Sequence, residues 1–333
     1  MFLPEINKVE IVPMGSVDSK IAIVGDFTTS YDTNDRRPFA GPAGHVLESC
    51  LHSAGLIRGE VYITNLIKSR MYDRDKVFNG DKGRFTESGM IYVQMLQAEL
   101  TEVKANIIVA CGQAAFTALC SLTKLTQYRG YVWPSTLCPG RKVIATHHPS
   151  SAMRGMYVYR HMIAADLSKA KEESNSPELL RPDRQLVYSY NSVEDALEWL
   201  SYFEGKDIVG FDIEVINFEV SCISFSSEPN IACVIPIADR WTVQEELQIW
   251  RAIQRVLGNP NSVKVVQNGM FDIPFLFSRN GIVVRGEIHD TMVAHSIVYP
   301  ELPKGLGFLG SIYCGAQEYW KDTVKFNNIK DES

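Results

Sequence analysis

The sequence predicts an α/β protein of two domains, and three observations carry that prediction. The chain has 333 residues, which is ample material for two cores. Over the first half, short apolar runs alternate with amphipathic segments, as in a doubly wound parallel sheet with helices on both faces. The second half groups its strands before most of its helices, which indicates a mixed sheet flanked by helices.

Composition narrows the function classes before any motif is considered. The hydrophobic content of 45% and the charged content of 22% are those of an ordinary soluble globular protein. The formal net charge of -6 excludes a basic field over the whole molecule, so any DNA contact must use local basic patches, assisted by metal ions. The seven cysteines include no C-x-x-C pair, which indicates a reducing compartment such as the cytoplasm.

The sequence shows no membrane or secretory segment. No apolar run approaches the roughly 18 residues that a membrane-spanning helix needs. The N-terminal "MFLPEINKVE" lacks a basic region followed by an apolar core, so we expect no secretory signal. We therefore expect no membrane partner.

Four apolar runs in the first half predict buried strands of one sheet. They are "IAIVG" (21–25), "VYITN" (61–65), "NIIVA" (106–110) and "KVIAT" (142–146). The predicted helices between and after them are "GHVLESCLHSAG", "ESGMIYVQMLQAEL", "GQAAFTALCSL" and "YRHMIAADLSKAKEE". Ligands of such sheets lie beyond the carboxyl ends of the strands.

A polar stretch with two prolines, "EESNSPELLRPDR" (172–184), predicts a linker. The predicted domains are therefore residues 1–172 and 185–333, with the linker at 173–184. The second domain opens with strand "LVYSY" and helix "SVEDALEWLSYF". Strands "IVGFDIEV", "EVSCISFSS" and "IACVIPI" follow, and then mostly helices.

Acidic residues in the second domain predict a metal site. Asp212 and Glu214 alternate with apolar residues on one strand, so both point to the same face, where like charges raise each other's pKa. Asp272 lies in the apolar segment "VVQNGMFDIPFL" (265–276), where a charge needs a partner. Clustered carboxylates bind hard cations such as Mg²⁺, and two such ions about 3.5–4 Å apart can promote phosphodiester cleavage.

The blocks "FDIE", "VQNGMFDIPFL" and "IHDTMVAHSIVYPELPKGLGFL" resemble the DEDD 3′–5′ exonuclease superfamily, nearest the proofreading domain of family A DNA polymerases. The resemblance covers about residues 185–320 and implies a ribonuclease H-like fold. It implies Asp212, Glu214 and Asp272 as catalytic ligands of two Mg²⁺ or Mn²⁺ ions. It also implies that Asn268 lies near the DNA end.

One departure concerns the last motif of that family, a Tyr or His followed four residues later by the fourth acidic ligand. Tyr319 and Asp322 are three apart and come early, and Asp290 is at a position that binds no metal in the family. We expect Asp290 to be a helix N-cap. Three explanations stay open: a fragment of a longer polymerase, a split protein whose next chain supplies the motif, or an inactive nuclease.

Three blocks of the first domain follow predicted parallel strands and can converge in one cleft. They are "VGDFTTSYDTNDRRPFAGPAGHVLE" (24–48), "VYITNLIKSR" (61–70) and "ATHHPSSAMRG" (145–155). Together they resemble the uracil-DNA glycosylase superfamily over about residues 15–172. The family acts on a base flipped out of the stack, since the scissile bond is unreachable within a duplex.

That resemblance implies a base pocket. Phe39 would stack on the base, Asn65 would read its polar edge, and His148 would contact its carbonyl and stabilise negative charge. Asp26 could replace an acid of the family's first motif, and Arg154 would lie near a DNA phosphate.

Two departures leave base excision open. The first motif is "GDFTT", which is bulkier than in the family, and binding of DNA without excision is given equal weight. Close relatives hold an iron–sulfur cluster, but the first cysteine here is Cys50, so we expect no cluster. The loop 73–84 is expected to be solvated, and 124–133 is a weaker candidate for single-strand contact.

The two resemblances combine into one hypothesis, because phage family A polymerases are known that carry a glycosylase-like domain before the proofreading domain. The chain is expected to be a replication or repair protein that removes nucleotides from 3′ ends, beside a separate polymerase chain, in the cytoplasm of a bacterial host. One alternative is a uracil-DNA glycosylase with the nuclease domain as scaffold. Another is a non-catalytic DNA-binding or polymerase-docking subunit.

Overall fold

The structure of the protein, a computed structural model, describes residues 11–71, 73–80, 82–153, 156–180, 185–189 and 192–314. Its contacts divide the chain after Arg181 and again after Leu306. Of the described residues, those up to 180 and those from 307 to 314 form one compact unit, and those between them form another.

The strands of the first unit are β1 (Ile21–Thr28), β2 (Tyr62–Arg70), β3 (Phe78–Asn79), β4 (Arg84–Phe85), β5 (Ile107–Cys111), β6 (Val132–Pro134) and β7 (Lys142–Thr146). Five of them form a largely parallel sheet of order β2-β1-β5-β7-β6, in which β6 is antiparallel to β7 and the other described pairs are parallel. Strands β3 and β4 form a separate antiparallel pair. The helices of this unit include α1 (Ser30–Asp35), α2 (Pro42–Ser53), α3 (Glu87–Glu102), α4 (Gln113–Cys120), α5 (Leu125–Tyr128) and α6 (Val158–Glu173).

Alternation along the central strands sends apolar side chains into two cores, one on each face of this sheet. In β1, Ala22 and Val24 join one core, whereas Ile21 and Ile23 join the other. The same split occurs along β5. The predicted doubly wound architecture is therefore confirmed, and the four predicted strands correspond to β1, β2, β5 and β7.

The second unit contains a mixed sheet of order β13-β12-β9-β10-β11-β8, which confirms the predicted fold class. Strands β9, β10 and β11 form an antiparallel meander, and β12 pairs in parallel with β9 and β13. The strands are β8 (Gln185–Tyr188), β9 (Ile208–Ile216), β10 (Glu219–Glu228), β11 (Ile231–Pro236), β12 (Val263–Val266) and β13 (Ile288–Asp290). The helices are α7 (Val193–Glu204), α8 (Val243–Leu257), α9 (Gly269–Asn280) and α10 (Thr291–Val298).

Local sequence signals explain where these helices begin. Ser192 caps α7 by accepting the N–H of Asp195, and Thr242 with Glu245 forms a capping box at the start of α8. Helix α8 then lays its apolar face on a core shared with β9 and β10.

A final helix, α11 (Leu306–Tyr313), connects with the first unit, and we call residues 307–314 the return segment. Buried Lys169 of α6 donates from Nζ to the carbonyl oxygens of Gly130 at 2.8 Å, Ser311 at 2.5 Å and Cys314 at 2.8 Å. The hydroxyl of Tyr131 donates to the carbonyl of Gly307 at 2.5 Å.

A buried ion pair lies beside this contact. Arg129 donates from Nε and Nη2 to Asp166 at 3.2 and 2.6 Å, and its guanidinium lies 5.0 Å from the ring centre of Phe308. The predicted second domain, residues 185–333, therefore needs a correction. Its residues 307–314 pack with the first unit, because the backbone carbonyls there satisfy a buried ammonium group.

Candidate functional sites

Asp212 and Glu214 lie on the outer face of strand β9. Their neighbours Phe211 and Ile213 point the other way, into the core of the second unit, as period-2 alternation requires. Partial desolvation, followed by the charges of Asp272 and Glu214, raises the pKa of Asp212 to about 6. The negative charge of Asp212 is therefore unfavourable where no cation balances it.

Asp272 is buried in the first turn of α9, where its Oδ1 accepts the N–H of Ile213 at 3.1 Å. Strand β12 pairs with β9 only as far as Gly210, so this N–H lies beyond their last pair. Burial raises the pKa of Asp272, backbone N–H groups lower it, and nearby carboxylates raise it, with a net upward shift. The three predicted acids are thus brought together around residue 213.

The donor set has the chemistry that a hard divalent cation requires, because all three side chains offer carboxylate oxygens. Across the described ranges, however, no three His, Cys, Asp or Glu side chains form a group that could hold a metal ion. The residue types fit such an ion, but in this structure the three carboxylates are not placed closely enough to surround it. Metal binding here therefore requires the exposed carboxylates to change position.

Asp290 is the N-cap of α10, which confirms its predicted structural role, and it also holds the start of α9. Its carboxylate accepts the N–H groups of Met292 and Val293 at 2.9 and 3.2 Å. It accepts those of Asn268 and Gly269 at 3.2 and 2.8 Å as well. Burial alone would raise the pKa of Asp290, but these four bonds outweigh it and the pKa is lowered.

Asn268 is exposed immediately before α9 and adopts a left-handed backbone with φ of 63°. Its placement near a DNA end stays a prediction. Tyr319 and Asp322, considered for the last motif, and Arg154, predicted near a phosphate, lie outside the described residues.

A cavity of about 240 Å³ opens in the first unit where the three glycosylase-like blocks meet. Phe39, Asn65 and His148 all line it, as the sequence predicts. The rings of Phe39 and His148 stack with 5.5 Å between centroids and 24° between planes. The other lining residues are Phe27, Thr29, Tyr31, Asp32, Gly41, Pro42, Ala43, Ser150 and Met153.

Hydrogen bonds fix the tautomer of His148. The backbone N–H of Ser150 points to its Nδ1 at 3.2 Å, and the Ser150 hydroxyl lies 2.8 Å from the same atom. A backbone N–H can only donate, so Nδ1 is an acceptor and the neutral ring carries its proton on Nε2. An Nε2–H donor is the kind of group that stabilises negative charge on a carbonyl oxygen.

A short chain of hydrogen bonds fixes the side-chain amide of Asn65. Its Nδ2 donates to Thr28 Oγ1 at 3.3 Å, and that hydroxyl donates to the Ile67 carbonyl at 2.6 Å. A Cβ at Gly25 would come within 2.3 Å of Asn65 Oδ1 and 2.6 Å of Phe39 Cζ. Glycine at this position therefore leaves room for both pocket side chains.

Asp26 does not line the pocket, which corrects its predicted place there. Its Oδ1 accepts the N–H of Ala115 at 2.8 Å in the first turn of α4, which draws the carboxylate away from the cavity. Desolvation raises its pKa to about 7, although the N–H of Ala115 and the charge of Arg74 lower it. Sequence alone could not show that α4 begins beside the end of β1.

Asp32 is a pocket residue that the sequence reasoning missed. Its Oδ1 accepts the N–H of Ala40 at 2.8 Å, and its Oδ2 accepts the N–H and the hydroxyl of Thr29, both at 2.7 Å. Both oxygens therefore hold the loops of the pocket in place. The signal was present, since Thr29 and Asp32 have the spacing of a capping box.

Four thiols of the first unit, Cys50, Cys111, Cys120 and Cys138, are buried and free, and burial raises the pKa of each. The expectation that the protein holds no iron–sulfur cluster stays a prediction. Of the helices that the structure describes, none is both long and apolar enough to cross a membrane.

Comparisons with known proteins match the two halves of the sequence to two different families. A family model described as the uracil DNA glycosylase superfamily matches residues 12–167, and one described as 3′-5′ exonuclease matches residues 187–330. The latter type of domain uses divalent metal ions.

Two curated relatives align with different parts of the chain. The type-4 uracil-DNA glycosylase of Thermotoga maritima is 30% identical over 164 residues, which cover 48% of this chain and 81% of that enzyme. The DNA polymerase of Bacillus phage SP01 is 22% identical over 334 residues, which cover 89% of this chain. The chain spans only 34% of that polymerase.

Solved structures show weaker likeness. Escherichia coli RNase D matches with 11% identity and a TM-score of 0.32, over 42% of this chain and 36% of that one. The Nibbler EXO domain of Aedes aegypti matches with 16% identity and a TM-score of 0.34, over 42% of this chain and 72% of that one. The sequence matches carry the assignment: the chain belongs to the uracil-DNA glycosylase superfamily through residues 12–167, and a 3′–5′ exonuclease domain follows at residues 187–330.

Proposed function

We propose that the protein removes nucleotides from DNA 3′ ends with its second domain and binds DNA through the base pocket of its first. The observation that carries the proposal is the position of Asp272. Its carboxylate accepts the N–H of Ile213, between Asp212 and Glu214, within a domain that matches the 3′–5′ exonuclease model.

The roles of the acids follow from this arrangement. Asp212, Glu214 and Asp272 would hold two divalent ions, Mg²⁺ or Mn²⁺, which supply Lewis acidity to activate water and stabilise a leaving oxygen. A phosphodiester is itself an anion, so these carboxylates would act on it through the bound cations and not by direct contact. Asn268, exposed before α9, would contact the terminal nucleotide, and release of a mononucleotide would follow.

The polymerase connection is part of this proposal. The alignment with the DNA polymerase of phage SP01 extends over both domains of this chain. That alignment supports a relation to DNA polymerases. The proposal is proofreading beside polymerase activity that a separate chain carries, in the cytoplasm of a bacterial host.

A gel assay tests the nuclease proposal. The full chain is incubated with 5′-labelled single-stranded DNA that carries one uracil, first with Mg²⁺ or Mn²⁺ and then with EDTA. We expect a ladder of 3′-shortened products only with metal, and its loss in Asp212→Ala. The matched control is Glu219→Ala, which removes an exposed acid from the neighbouring strand β10. A ladder that persists in Asp212→Ala contradicts the proposal.

Adding a candidate polymerase chain to the same assay tests whether a missing ligand comes from a partner. If Asp212, Glu214 and Asp272 form an incomplete set, shortening should increase with the polymerase chain and still depend on Asp212. If DNA shortening does not increase when the polymerase chain is added, that chain supplies no missing ligand.

Uracil excision is the second candidate, and the observation that favours it is the pocket formed by Phe39, Asn65 and His148. Excision would appear in the same assay as alkali-labile cleavage at the uracil that survives EDTA. The saturated hydrogen bonds of Asp32 and the withdrawn carboxylate of Asp26 instead favour recognition of a base without excision. Absence of both products would favour a DNA-binding or polymerase-docking subunit.

A further inference from the structure

We infer that Asp290 is a positioning residue for the carboxylate cluster, acting through the backbone that carries Asp272. That the cluster binds metal rests on the proposed nuclease function. That Asp290 positions Asp272 rests on hydrogen-bond geometry alone. An N-cap needs only the N–H groups of its own helix, which here are those of Met292 and Val293. Asp290 also binds two N–H groups that lie 21 and 22 residues earlier in the chain.

These two additional bonds fix the turn at which α9 begins. Asn268 has the left-handed φ of 63°, a conformation that costs energy for a residue with a side chain and needs support from its surroundings. Its N–H and that of Gly269 both end on the Asp290 carboxylate, at 3.2 and 2.8 Å. The Asp290 carboxylate therefore holds the backbone at the point where the chain leaves β12 and enters α9.

The direction of α9 in turn places Asp272. Asp272 lies in the first turn of that helix, three residues after Gly269, and its Oδ1 meets the N–H of Ile213 at 3.1 Å. Rotation or fraying of this turn would withdraw the carboxylate from the segment that bears Asp212 and Glu214. Substitution of a residue that orients a metal ligand through hydrogen bonds commonly lowers metal affinity by about 10- to 100-fold.

The neighbouring Thr291 supports the same junction. Its hydroxyl donates to the carbonyl of Val266 at 3.2 Å and also contacts the side-chain carbonyl of Gln267. Asp290 and Thr291 together join the end of β12, the start of α9 and the start of α10. The pair "DT" therefore stabilises this junction in two ways. Asp290 accepts hydrogen bonds from N–H groups, and Thr291 donates one to a carbonyl group.

Asp290→Ser separates the two roles of the aspartate. Serine is also a good N-cap, so α10 keeps its cap, but its shorter side chain with one oxygen cannot hold the turn at Asn268. Thr242→Ala is the matched control, because it removes the capping side chain of α8, which lies apart from the acids in sequence and in hydrogen bonding. Circular dichroism of both variants checks that the fold is kept.

The first readout is direct binding of Mn²⁺ to the full chain, followed by the electron paramagnetic resonance signal of the free ion. We expect Asp290→Ser to weaken Mn²⁺ binding about 10-fold or more, and Thr242→Ala to leave it unchanged. Asp272→Asn provides the reference for a lost ligand. Wild-type affinity in Asp290→Ser overturns the inference.

The second readout needs no metal and keeps the inference separate from the proposed function. Hydrogen exchange at the amide of Ile213 reports whether Asp272 stays on its backbone partner. We expect exchange at least 10-fold faster in Asp290→Ser and unchanged in Thr242→Ala. Unchanged exchange in Asp290→Ser overturns the positioning role. Failure of the wild-type protein to bind Mn²⁺, with faster exchange in Asp290→Ser, instead overturns the nuclease proposal and keeps the positioning role.

Discussion

Three buried ionisable groups of the first unit contact protein groups of opposite polarity, whereas the acid cluster of the second unit brings three carboxylates close to one another. Arg129 pairs with Asp166, Lys169 binds three carbonyl groups, and Asp26 binds a helix N-terminus. Asp212 instead lies beside two other acids, and desolvation, followed by the charges of those acids, raises its pKa. The difference teaches that these charges of the first unit are balanced by groups of the protein itself, whereas the carboxylates of the second unit repel one another where no cation lies among them.

The largest effect should come from the second unit. Asp272→Asn keeps the side-chain volume but removes a charged ligand, so metal-dependent shortening of DNA should fall on the order of 10³-fold. Initial rates on 5′-labelled single strands measure this effect. Activity within tenfold of the wild type would show that Asp272 only supports the strand, and the contrast between the two units would lose its basis.

Lys169→Met tests internal pairing in the first unit. The change leaves the carbonyls of Gly130, Ser311 and Cys314 without their shared donor, which should lower the free energy of unfolding by about 3 kcal/mol. Hydrogen exchange in the return segment should rise at the same time. Lys171→Met, which loses one exposed bond to Gly55, is the control and should change stability by less than about 1 kcal/mol. Equal losses in the two variants would argue against a special role for Lys169.

Gly25→Ala tests whether the base pocket is preformed. The new methyl group would press on Asn65 and Phe39, so stability should fall by about 2 kcal/mol and binding of uracil-containing DNA should weaken. Fluorescence anisotropy with a labelled strand measures the binding. Gly59→Ala is the control, because no atom lies within 4 Å of the added Cβ there. Unaltered binding in Gly25→Ala would mean that the pocket adapts.

Asp26→Asn should have the smallest effect near pH 4, and the effect grows as the pH rises. Folding raises the pKa of Asp26 from 3.8 to about 7, so its contribution is fully present below about pH 4 and is lost as the pH rises through 7. The neutral amide avoids this loss, so the variant should match the wild type near pH 4 and be more stable than the wild type at pH 8. Denaturant unfolding at both pH values measures the difference, and a variant that is less stable at pH 8 would contradict it.

Local patterns in the sequence predict most of the fold, because burial follows from alternation. The apolar runs that became β1, β2, β5 and β7 could be identified, and so could the acids of β9. The meeting of Asp272 with β9 was suggested only by its apolar surroundings and by family resemblance. Its bond to Ile213 depends on where β12 stops pairing, which no local pattern encodes.

The errors and omissions share one cause, which is contact between segments far apart in sequence. Asp26 was expected in the pocket, but the N-terminus of α4, almost 90 residues later, binds its carboxylate. Asp290 was predicted as a cap, yet its bonds to Asn268 and Gly269 depend on the packing of α9 beside β13. Such partners are set by tertiary packing and override local preference.

The return segment bears on how such proteins can be recombined. Residues 307–314 fall within the stretch that matches the exonuclease model, yet their carbonyls accept from Lys169 and Tyr131 of the glycosylase-like unit. A gene fusion or a cloning boundary drawn at the polar linker would therefore divide a single packed structure. We therefore expect a first unit expressed without residues 307–314 to lose the packing around Lys169, so a boundary for that unit has to include both parts of the chain.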